Sequence, residues 1–241
     1  MSGHSKWNNI KHKKEKSDAA KAKIFTKIGK EMAVAIKAGG PDPNNNSKLR
    51  DLIAKAKANN VPNDNIQRTI KKFTDNSDIN FEEITYEGYG PSGVAIIVET
   101  STDNRNRTAG NVRAWFNKYG GNMGQNGCVG YLFEEKGVIT IIDEDGEIEE
   151  DKIMEDVLEC GAEDIKSDDG EYTIYSSPEE LDSVRDAIIA LGYKIDTADL
   201  AKVPSTYVEL TSEEDIENME KMLDKFNEDD DVTAVFTNWD N

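Results

Sequence analysis

Residues 137–198 set the architecture of this chain, and they read GVITIIDEDGEIEEDKIMEDVLECGAEDIKSDDGEYTIYSSPEELDSVRDAIIALGYKIDTA. Alternating apolar positions predict strands, and apolar residues three or four apart predict helices. The pattern predicts a strand at Val138–Ile142, a helix at Glu149–Cys160, strands at Ala162–Ser167 and Glu171–Ser176 around the turn Asp168-Asp169-Gly170, a helix at Pro178–Leu191 and a strand at Tyr193–Thr197. This βαββαβ order is that of a ferredoxin-like α+β domain.

Further strands and helices are predicted on either side of this unit. Before it come strands at Phe81–Tyr86, Gly93–Thr100 and Cys128–Glu134 with a helix at Asn106–Tyr119, and after it a strand at Thr206–Leu210, a helix at Glu213–Phe226 and a strand at Val232–Thr237. The later segment has no partner of its own, so its apolar face needs the sheet that was begun earlier. We therefore expect the middle unit to be a domain insertion.

The N-terminal part is predicted to be helical. Apolar residues at three- and four-residue spacing predict a helix from a Ser17 cap to Gly39, a second helix capped by Ser47, and a short third helix at about Asn63–Phe73. Three helices with short connections form a small bundle. The predicted fold class is therefore α/β (α+β), with an N-terminal three-helix domain at 1–78 followed by two ferredoxin-like α+β domains, one at 79–135 plus 204–241 and the other, at 136–203, inserted in it.

Charge is distributed unevenly along the chain. The 241 residues include 29 Lys and Arg and 48 Asp and Glu, for a net charge of −19. Residues 1–72 hold 17 cations and 6 carboxylates, a net charge of +11, whereas residues 73–241 hold 12 and 42, a net charge of −30. A basic head on an acidic body indicates a localised anion-binding surface rather than general affinity for polyanions.

The composition argues against several other classes of protein. The two cysteines have no paired spacing and fit a reducing compartment, so we expect a cytoplasmic protein. The longest aliphatic run, Val94–Val98, is far shorter than the ~20 residues of a membrane span. The two histidines, His4 and His12, lie in the basic tail and form neither a metal site nor a catalytic set. We expect no enzyme activity, cofactor, metal or membrane partner.

The basic run at residues 3–14, GHSKWNNIKHKK, is the first candidate site. Lysines neutralise phosphates, and an aromatic residue among them stacks on a base or anchors the arm to the body. The candidate nucleic-acid-binding residues in this run are His4, Ser5, Lys6, Trp7, Lys11, His12, Lys13 and Lys14. The alternative is a solvated basic tail that has no specific role.

A second candidate is the segment Thr102-Asp103-Asn104-Arg105-Asn106-Arg107-Thr108, where a strand leads into a helix that Asp103 or Asn104 caps. Two arginines at the positive end of a helix are unfavourable unless anions offset them. Arg105 and Arg107 therefore form salt bridges with nearby carboxylates or contact phosphates or a partner. The loop at residues 120–127, GGNMGQNG, follows a helix and precedes a strand, the wrong order for a nucleotide-binding loop, so we predict a flexible connection.

Four stretches of this sequence form long, specific motifs. They are Gly3-His4-Ser5-Lys6-Trp7 with Ile10-Lys11-His12, Lys23-Ile24-Phe25-Thr26-Lys27, Tyr86-Glu87-Gly88-Tyr89-Gly90-Pro91 with Gly93-Val94-Ala95, and the segment 102–108. Through these stretches the chain resembles the YebC/PmpR family. The resemblance extends over essentially the whole chain and implies a three-domain protein that binds nucleic acid. It adds Lys23 and Lys27 to the candidate nucleic-acid-binding residues.

The resemblance implies two different activities. Family members are often labelled DNA-binding transcriptional regulators, and others are similar to ribosome-associated translation factors that assist proline-rich stretches or activate mitochondrial translation. Transcription regulation by DNA binding is our first hypothesis, and translation regulation through ribosomal RNA is the alternative. The acidic body slightly favours the alternative, because a protein lying along a duplex would bring that charge close to phosphates. A protein–protein adaptor that uses the acidic α+β domains is a third hypothesis.

Overall fold

The structure, a computed structural model, describes residues 18–75, 80–143, 145–168 and 170–240. These residues form seven α-helices and ten strands. In chain order they are α1 Asp18–Gly39, α2 Ser47–Ala58, α3 Asn63–Asp75, β1 Glu82–Tyr89, β2 Ala95–Thr102, α4 Arg105–Lys118, β3 Asn122–Met123, β4 Phe133–Ile142, α5 Glu150–Glu159, β5 Asp164–Asp168, β6 Glu171–Ser176, α6 Leu181–Ala190, β7 Ile195–Pro204, β8 Val208–Glu209, α7 Glu213–Glu228, β9 Val232–Thr237 and β10 Trp239–Asp240.

The described residues divide into two compact units. One contains 18–130 and 210–237, and the other contains 131–209 and 238–240. The predicted class is confirmed, since a helical N-terminal part is followed by two antiparallel α+β arrangements, one of them inserted in the other. The finer division into three domains at the predicted boundaries stays a prediction.

Helices α1, α2 and α3 form a bundle around one apolar core. Its buried members are Ile28, Met32, Ala35, Ile36, Leu49, Leu52, Ala56 and Ile66. Gly40, at φ +83°, follows α1 in the left-handed region that glycine favours, which ends the helix where the sequence predicted. The predicted cap at Ser17 lies outside the described residues.

The prediction that Ser47 caps the second helix is wrong, because the cap is the preceding residue, Asn46. Its Oδ1 accepts a hydrogen bond from the amide of Leu49 at 3.1 Å, and its Nδ2 donates to the carbonyls of Ala35 and Gly40, both at 2.8 Å. An asparagine amide both accepts and donates, whereas a serine hydroxyl has a single proton to donate. The buried Asn46 therefore serves the end of α1 and the start of α2 together.

The first unit also contains a four-stranded antiparallel sheet in the order β3-β1-β2-β9. Helices α4 and α7 pack together, with the rings of Phe116 and Phe226 5.1 Å apart, and both side chains are fully buried. Strand β9 returns from the end of the chain to pair with β2, as the sequence predicted for the last strand. The region before the insertion and the region after it therefore share one sheet.

The inserted unit has the predicted ferredoxin-like arrangement. Its sheet has the order β5-β6-β4-β7, which places the first strand of the motif in the centre beside the third. The core between this sheet and helices α5 and α6 contains Ile139, Ile141, Ile153, Val157, Ile174, Val184 and Ile188. Each of these side chains is at most 1% exposed.

The predicted strand at Cys128–Glu134 is wrong. Gly130–Leu132 forms a 3₁₀ turn, and one long strand, β4, begins at Phe133 and continues without a break to Ile142. Two effects explain the difference. The amides of Gly127, Val129 and Gly130 donate to the carboxylate of Glu87, so they are unavailable to a strand ladder. Residues 135–137, which separate the two predicted strands, pair with β7 and continue the strand.

The predicted strand at Thr206–Leu210 does not join the first sheet. Only Val208–Glu209 is extended, and this short strand, β8, pairs in parallel with β10, whose Trp239 lies opposite Val208. The physical reason is that the chain continues past β9 and supplies β8 with a nearer partner. No helix within the described residues is long and apolar enough to cross a membrane.

Candidate nucleic-acid interface

The structure describes four of the twelve predicted site residues. The other eight, His4, Ser5, Lys6, Trp7, Lys11, His12, Lys13 and Lys14, lie outside the described residues. The four that can be placed are Lys23 and Lys27 on α1 and Arg105 and Arg107 at the start of α4.

The two lysines of α1 contact the C-terminal end of α7. Together with Lys30 they donate to three main-chain oxygens, Lys23 to Glu228 at 3.3 Å, Lys27 to Asn227 at 3.0 Å and Lys30 to Asp230 at 2.9 Å. The last carbonyls of a helix lack intrahelical donors and lie at the negative end of its dipole. These lysines therefore hold α1 against α7.

Asp231 joins this contact to the start of α4. One of its carboxylate oxygens accepts from Lys30 at 2.6 Å, and the other accepts from Arg107 at 2.6 Å and from the hydroxyl of Thr108 at 2.8 Å. Burial alone would raise the pKa of this carboxyl, but the hydrogen bonds from Lys30, Arg107 and Thr108 outweigh it and lower the pKa to about 2. The side chain of Asp231 is 5% exposed, so the carboxylate is a buried, charged link between helices.

The two arginines of the segment 102–108 have different surroundings. Arg107 forms ion pairs with Asp231 and, at 2.9 Å, with Asp103, so most of its charge is engaged within the chain. The side chain of Arg105 is 67% exposed, and its nearest carboxylate, that of Glu82, is 4.0 Å away. The cap of the helix is Asn104, whose side chain accepts from the amide of Arg107. Arg105 is therefore the arginine that remains accessible to a partner.

Exposed cations also occur on α2 and α3, two helices on which no site residue was predicted. Lys57, Arg68 and Lys71 are exposed, and in the described part of the chain no carboxylate lies within ion-pair distance of them. Arg68 and Lys71 are three residues apart and so lie on one side of α3. The signal was present in the sequence, because the inward positions Ile66 and Ile70 leave these two residues on the outer face.

A charged groove lies between α4 and the end of α7. Its volume is about 780 Å³, and its lining includes the cations Lys30, Arg107, Lys118 and Lys225 and the carboxylates Glu228, Asp229, Asp230 and Asp231. Because the two signs are balanced, the groove offers little net attraction to a polyanion. It is therefore a weaker candidate for phosphate contact than the outer faces of α2 and α3.

The glycine-rich loop is held in place rather than forming the flexible connection that we predicted. The carboxylate of Glu87 accepts the amides of Gly127 at 2.8 Å, Val129 at 2.8 Å and Gly130 at 2.7 Å. The main-chain carbonyl of Glu87 accepts a fourth amide, that of Gly124, at 2.8 Å. Three of these amides bind a carboxylate of the chain itself and the fourth binds a carbonyl, so they are not available to cradle a phosphate.

The described residues include two free thiols, those of Cys128 and Cys160. Burial raises the pKa of the thiols of Cys128 and Cys160, so both are poor nucleophiles near neutral pH. Within 18–75, 80–143, 145–168 and 170–240, no group of three or more His, Cys, Asp or Glu side chains is placed to hold a metal ion.

The fold and the site define an α+β protein with a basic helical N-terminal part and an acidic, insertion-containing remainder. Comparison with known proteins agrees with this class. Residues 5–76 match the model of the TACO1/YebC protein N-terminal domain, and residues 81–239 match that of the TACO1/YebC second and third domain. The chain belongs to the TACO1/YebC family.

Individual relatives are similar over their full length. A protein of Agathobacter rectalis named "Probable transcriptional regulatory protein" is 54% identical over 100% of both chains. A protein of the same name from Acetivibrio thermocellus is 52% identical over 99% of both chains. The crystal structure of a conserved hypothetical protein, Aq1575, from Aquifex aeolicus is similar with a TM-score of 0.82 and 42% identity, covering 92% of this chain and 91% of that one.

Proposed function

We propose that this chain is a non-enzymatic, nucleic-acid-binding regulator of gene expression, and specifically a DNA-binding transcriptional regulator. Full-length relatives that carry the name "Probable transcriptional regulatory protein" support regulation as the activity. The proposal includes a cytoplasmic location, no cofactor and no membrane partner. The acidic α+β regions are available to protein partners.

The observation that carries the proposal is the set of accessible cations on the helical bundle. Lys57, Arg68 and Lys71 point to solvent and have no carboxylate partner among the described residues. Exposed cations that no described carboxylate offsets, in the basic head of a chain with net charge −19, are available to meet an external anion. The phosphate backbone of a nucleic acid is an anion of the right charge density.

The basic run at residues 3–14 is the second part of the proposed interface. Lys6, Lys11, Lys13 and Lys14 precede α1, and the bundle that follows carries its own cations. We assign phosphate contacts to this run together with α2 and α3. Lys23 and Lys27 contribute in a different way, since their contacts hold α1 against α7.

A ribosome-associated translation factor is the second candidate. One observation favours it, namely the net charge of −30 over residues 73–241. A protein with this charge meets phosphates best at a single localised contact, such as a segment of ribosomal RNA, while its acidic part faces protein. The same basic head would then bind RNA rather than a DNA duplex.

The test uses full-length protein with a fluorescein-labelled duplex of promoter DNA at a series of salt concentrations. The triple variant Lys57→Gln/Arg68→Gln/Lys71→Gln removes three cations of the bundle. We expect it to bind more weakly. The salt slope, which is the slope of the logarithm of the binding constant against the logarithm of the salt concentration, should become shallower by about 2.7, or about 0.9 for each lost phosphate contact. Lys152→Gln/Lys194→Gln/Lys221→Gln changes the net charge equally on other surfaces and should bind like the wild type.

Cosedimentation with ribosomes separates the two candidates. A DNA-binding regulator retards promoter DNA in the presence of competitor and does not sediment with ribosomes at physiological salt. A translation factor sediments with ribosomes and loses this association when residues 1–16 are removed. Wild-type protein that binds neither DNA nor ribosomes would refute both candidates and leave the protein–protein adaptor.

A further inference from the structure

Helix α4 differs in charge from the rest of the acidic body. Its fourteen residues, RNRTAGNVRAWFNK, include Arg105, Arg107, Arg113 and Lys118 and no carboxylate. Residues 73–241 contain only 12 cations against 42 carboxylates, so one helix holds a third of these cations. Arg107 is paired with Asp103 and Asp231, so the accessible positive charge of this helix lies on Arg105, Arg113 and Lys118.

The two sides of α4 have different surroundings. The inner side buries Thr108, Val112 and Phe116 against the sheet and α7. The outer side is exposed, and residues three or four apart fall on it. This outer face includes Asn106, Gly110, Arg113 and Asn117, while Arg105 is exposed as the first residue of the helix.

Gly110 lies in the middle of this outer face, and neither a close contact nor its backbone angle explains a glycine at this position. Glycine weakens a helix relative to alanine, so it is usually retained for a close contact or a left-handed backbone. A Cβ added to Gly110 would meet no atom within 4 Å, and Gly110 is not among the glycines with positive φ. The missing side chain therefore matters only to something that approaches the helix from outside.

A buried tyrosine of β1 near Arg105 and Arg113 gives a further indication. Tyr86 of β1 is 8% exposed, and its hydroxyl makes no hydrogen bond to any described residue. Burial raises the pKa of Tyr86, and the carboxylates of Glu82 and Asp231 raise it too, while the charges of Arg105 and Arg113 lower it. A buried hydroxyl without a partner among the described residues has a hydrogen bond still to give or accept.

We propose that the outer face of α4 is a second nucleic-acid contact surface, on which Arg113, together with Arg105 at the start of the helix, binds phosphates and Gly110 lets the sugar–phosphate backbone approach the helix closely. This inference rests on the nucleic-acid binding proposed above and adds a site outside the helical bundle. Arg105 and Arg113 are eight residues apart, which is about 12 Å along a helix. Measured along the axis of a duplex, that distance corresponds to three to four nucleotide steps of one strand at ~3.4 Å each.

The chemistry of the face favours a phosphodiester backbone over an acidic protein. The planar guanidinium group donates two hydrogen bonds in a fork that matches a phosphate. Asn106 and Asn117 add amides that donate to phosphate or base oxygens. An acidic protein surface would instead bury bulky side chains, and Gly110 presents none to pack against.

The experiment measures fluorescence anisotropy of full-length protein with a labelled DNA duplex and a labelled single-stranded RNA of mixed sequence, over a range of salt concentrations. Arg105→Gln/Arg113→Gln should weaken binding and lower the salt slope by about 1.8 on duplex or about 1.4 on single strands. Lys152→Gln/Lys194→Gln, which removes the same charge from the inserted unit, should leave the slope unchanged.

Gly110 is tested separately by adding bulk without changing charge. Gly110→Leu should lose a large part of the binding, whereas Gly110→Ala should retain most of it. Ala190→Leu adds the same kind of side chain to the exposed end of α6 and should bind like the wild type. Circular dichroism of each variant confirms that α4 is still helical.

The outcomes separate this inference from the proposed function. If Arg105→Gln/Arg113→Gln matches its charge control while the Lys57, Arg68 and Lys71 variant binds weakly, the α4 surface is refuted and nucleic-acid binding stands. If the wild type binds neither probe, both proposals are refuted. If polyglutamate binds the wild type through α4 and the nucleic acids do not, the face is a protein-docking surface and this inference is wrong.

Discussion

Replacing Asp231 with asparagine should strongly destabilise the first unit. The pKa of this carboxyl is lowered from its ordinary value of 3.8 to about 2. At about 1.4 kcal/mol for each pKa unit, the lowering corresponds to about 2 kcal/mol of stability at neutral pH. Asp231→Asn also leaves the ammonium of Lys30, whose side chain is 15% exposed, without its counter-charge. Breaking a buried ion pair costs more than the pair contributes, because it leaves one charge buried without its partner. We therefore expect Asp231→Asn to lower the free energy of unfolding by about 3 kcal/mol in total.

The effect of this substitution should depend on pH in a defined direction. A carboxyl whose folded pKa is below its unfolded pKa contributes stability above the unfolded value and loses it as the pH falls through the folded value. For Asp231 this window lies between about pH 4 and pH 2. At pH 3 the wild type should have lost about 1 kcal/mol of this contribution, and the difference from Asp231→Asn should shrink by that amount.

Urea unfolding followed by circular dichroism at pH 7 and pH 3 measures these differences. Hydrogen exchange of peptides from α1 assigns them to the first unit, because Lys30 lies on that helix. Asp230→Asn is the matched control, since the exposed neighbouring carboxylate should change stability by less than about 0.5 kcal/mol. If Asp231→Asn unfolds at the same urea concentration as Asp230→Asn, the assignment of Asp231 as a stabilising link is wrong.

Three other predictions concern stability. Gly110→Ala should raise the thermal midpoint by the equivalent of up to about 1 kcal/mol, because the added methyl group meets no atom within 4 Å, and a lower midpoint would contradict this. Asn46→Ala should lower stability by about 1 to 2 kcal/mol in thermal unfolding through loss of the cap, whereas Ser47→Ala should have a much smaller effect. Glu87→Gln should speed amide exchange in residues 124–130 by the equivalent of about 1 to 3 kcal/mol, and unchanged exchange would show that the loop is held by other contacts.

Elements that depend on local patterns were predictable from the sequence. The three- and four-residue spacing identified the helices of the bundle, and the βαββαβ order identified the inserted unit. The last strand, Val232–Thr237, has the predicted bounds. In each case the apolar periodicity and the turn residues within a short window contain the information.

Features that depend on distant residues were not predictable in this way. Lys30 and Asp231 are 201 residues apart, and Lys27 reaches a carbonyl 200 residues away, so no window along the sequence shows that these cations are engaged within the chain. The same holds for Glu87, whose carboxylate is 40 residues from Gly127 and prevents the predicted strand. Asparagine and serine both cap helices well, so the sequence alone does not choose between Asn46 and Ser47. Only the carbonyls of Ala35 and Gly40, at the end of α1, favour asparagine as the cap.

The division of the two sheets along the chain has a consequence for biosynthesis. Strand β9 completes the first sheet and β10 pairs with β8, and both strands come after residue 231. A ribosome that has synthesised the chain to residue 209 has made the whole inserted ferredoxin-like motif, but neither unit has all its strands. Domains usually fold in order from the N-terminus during translation. Here the nascent chain exposes the edge of β2 until the very end, so we expect translation arrested before residue 232 to leave the first sheet sensitive to protease.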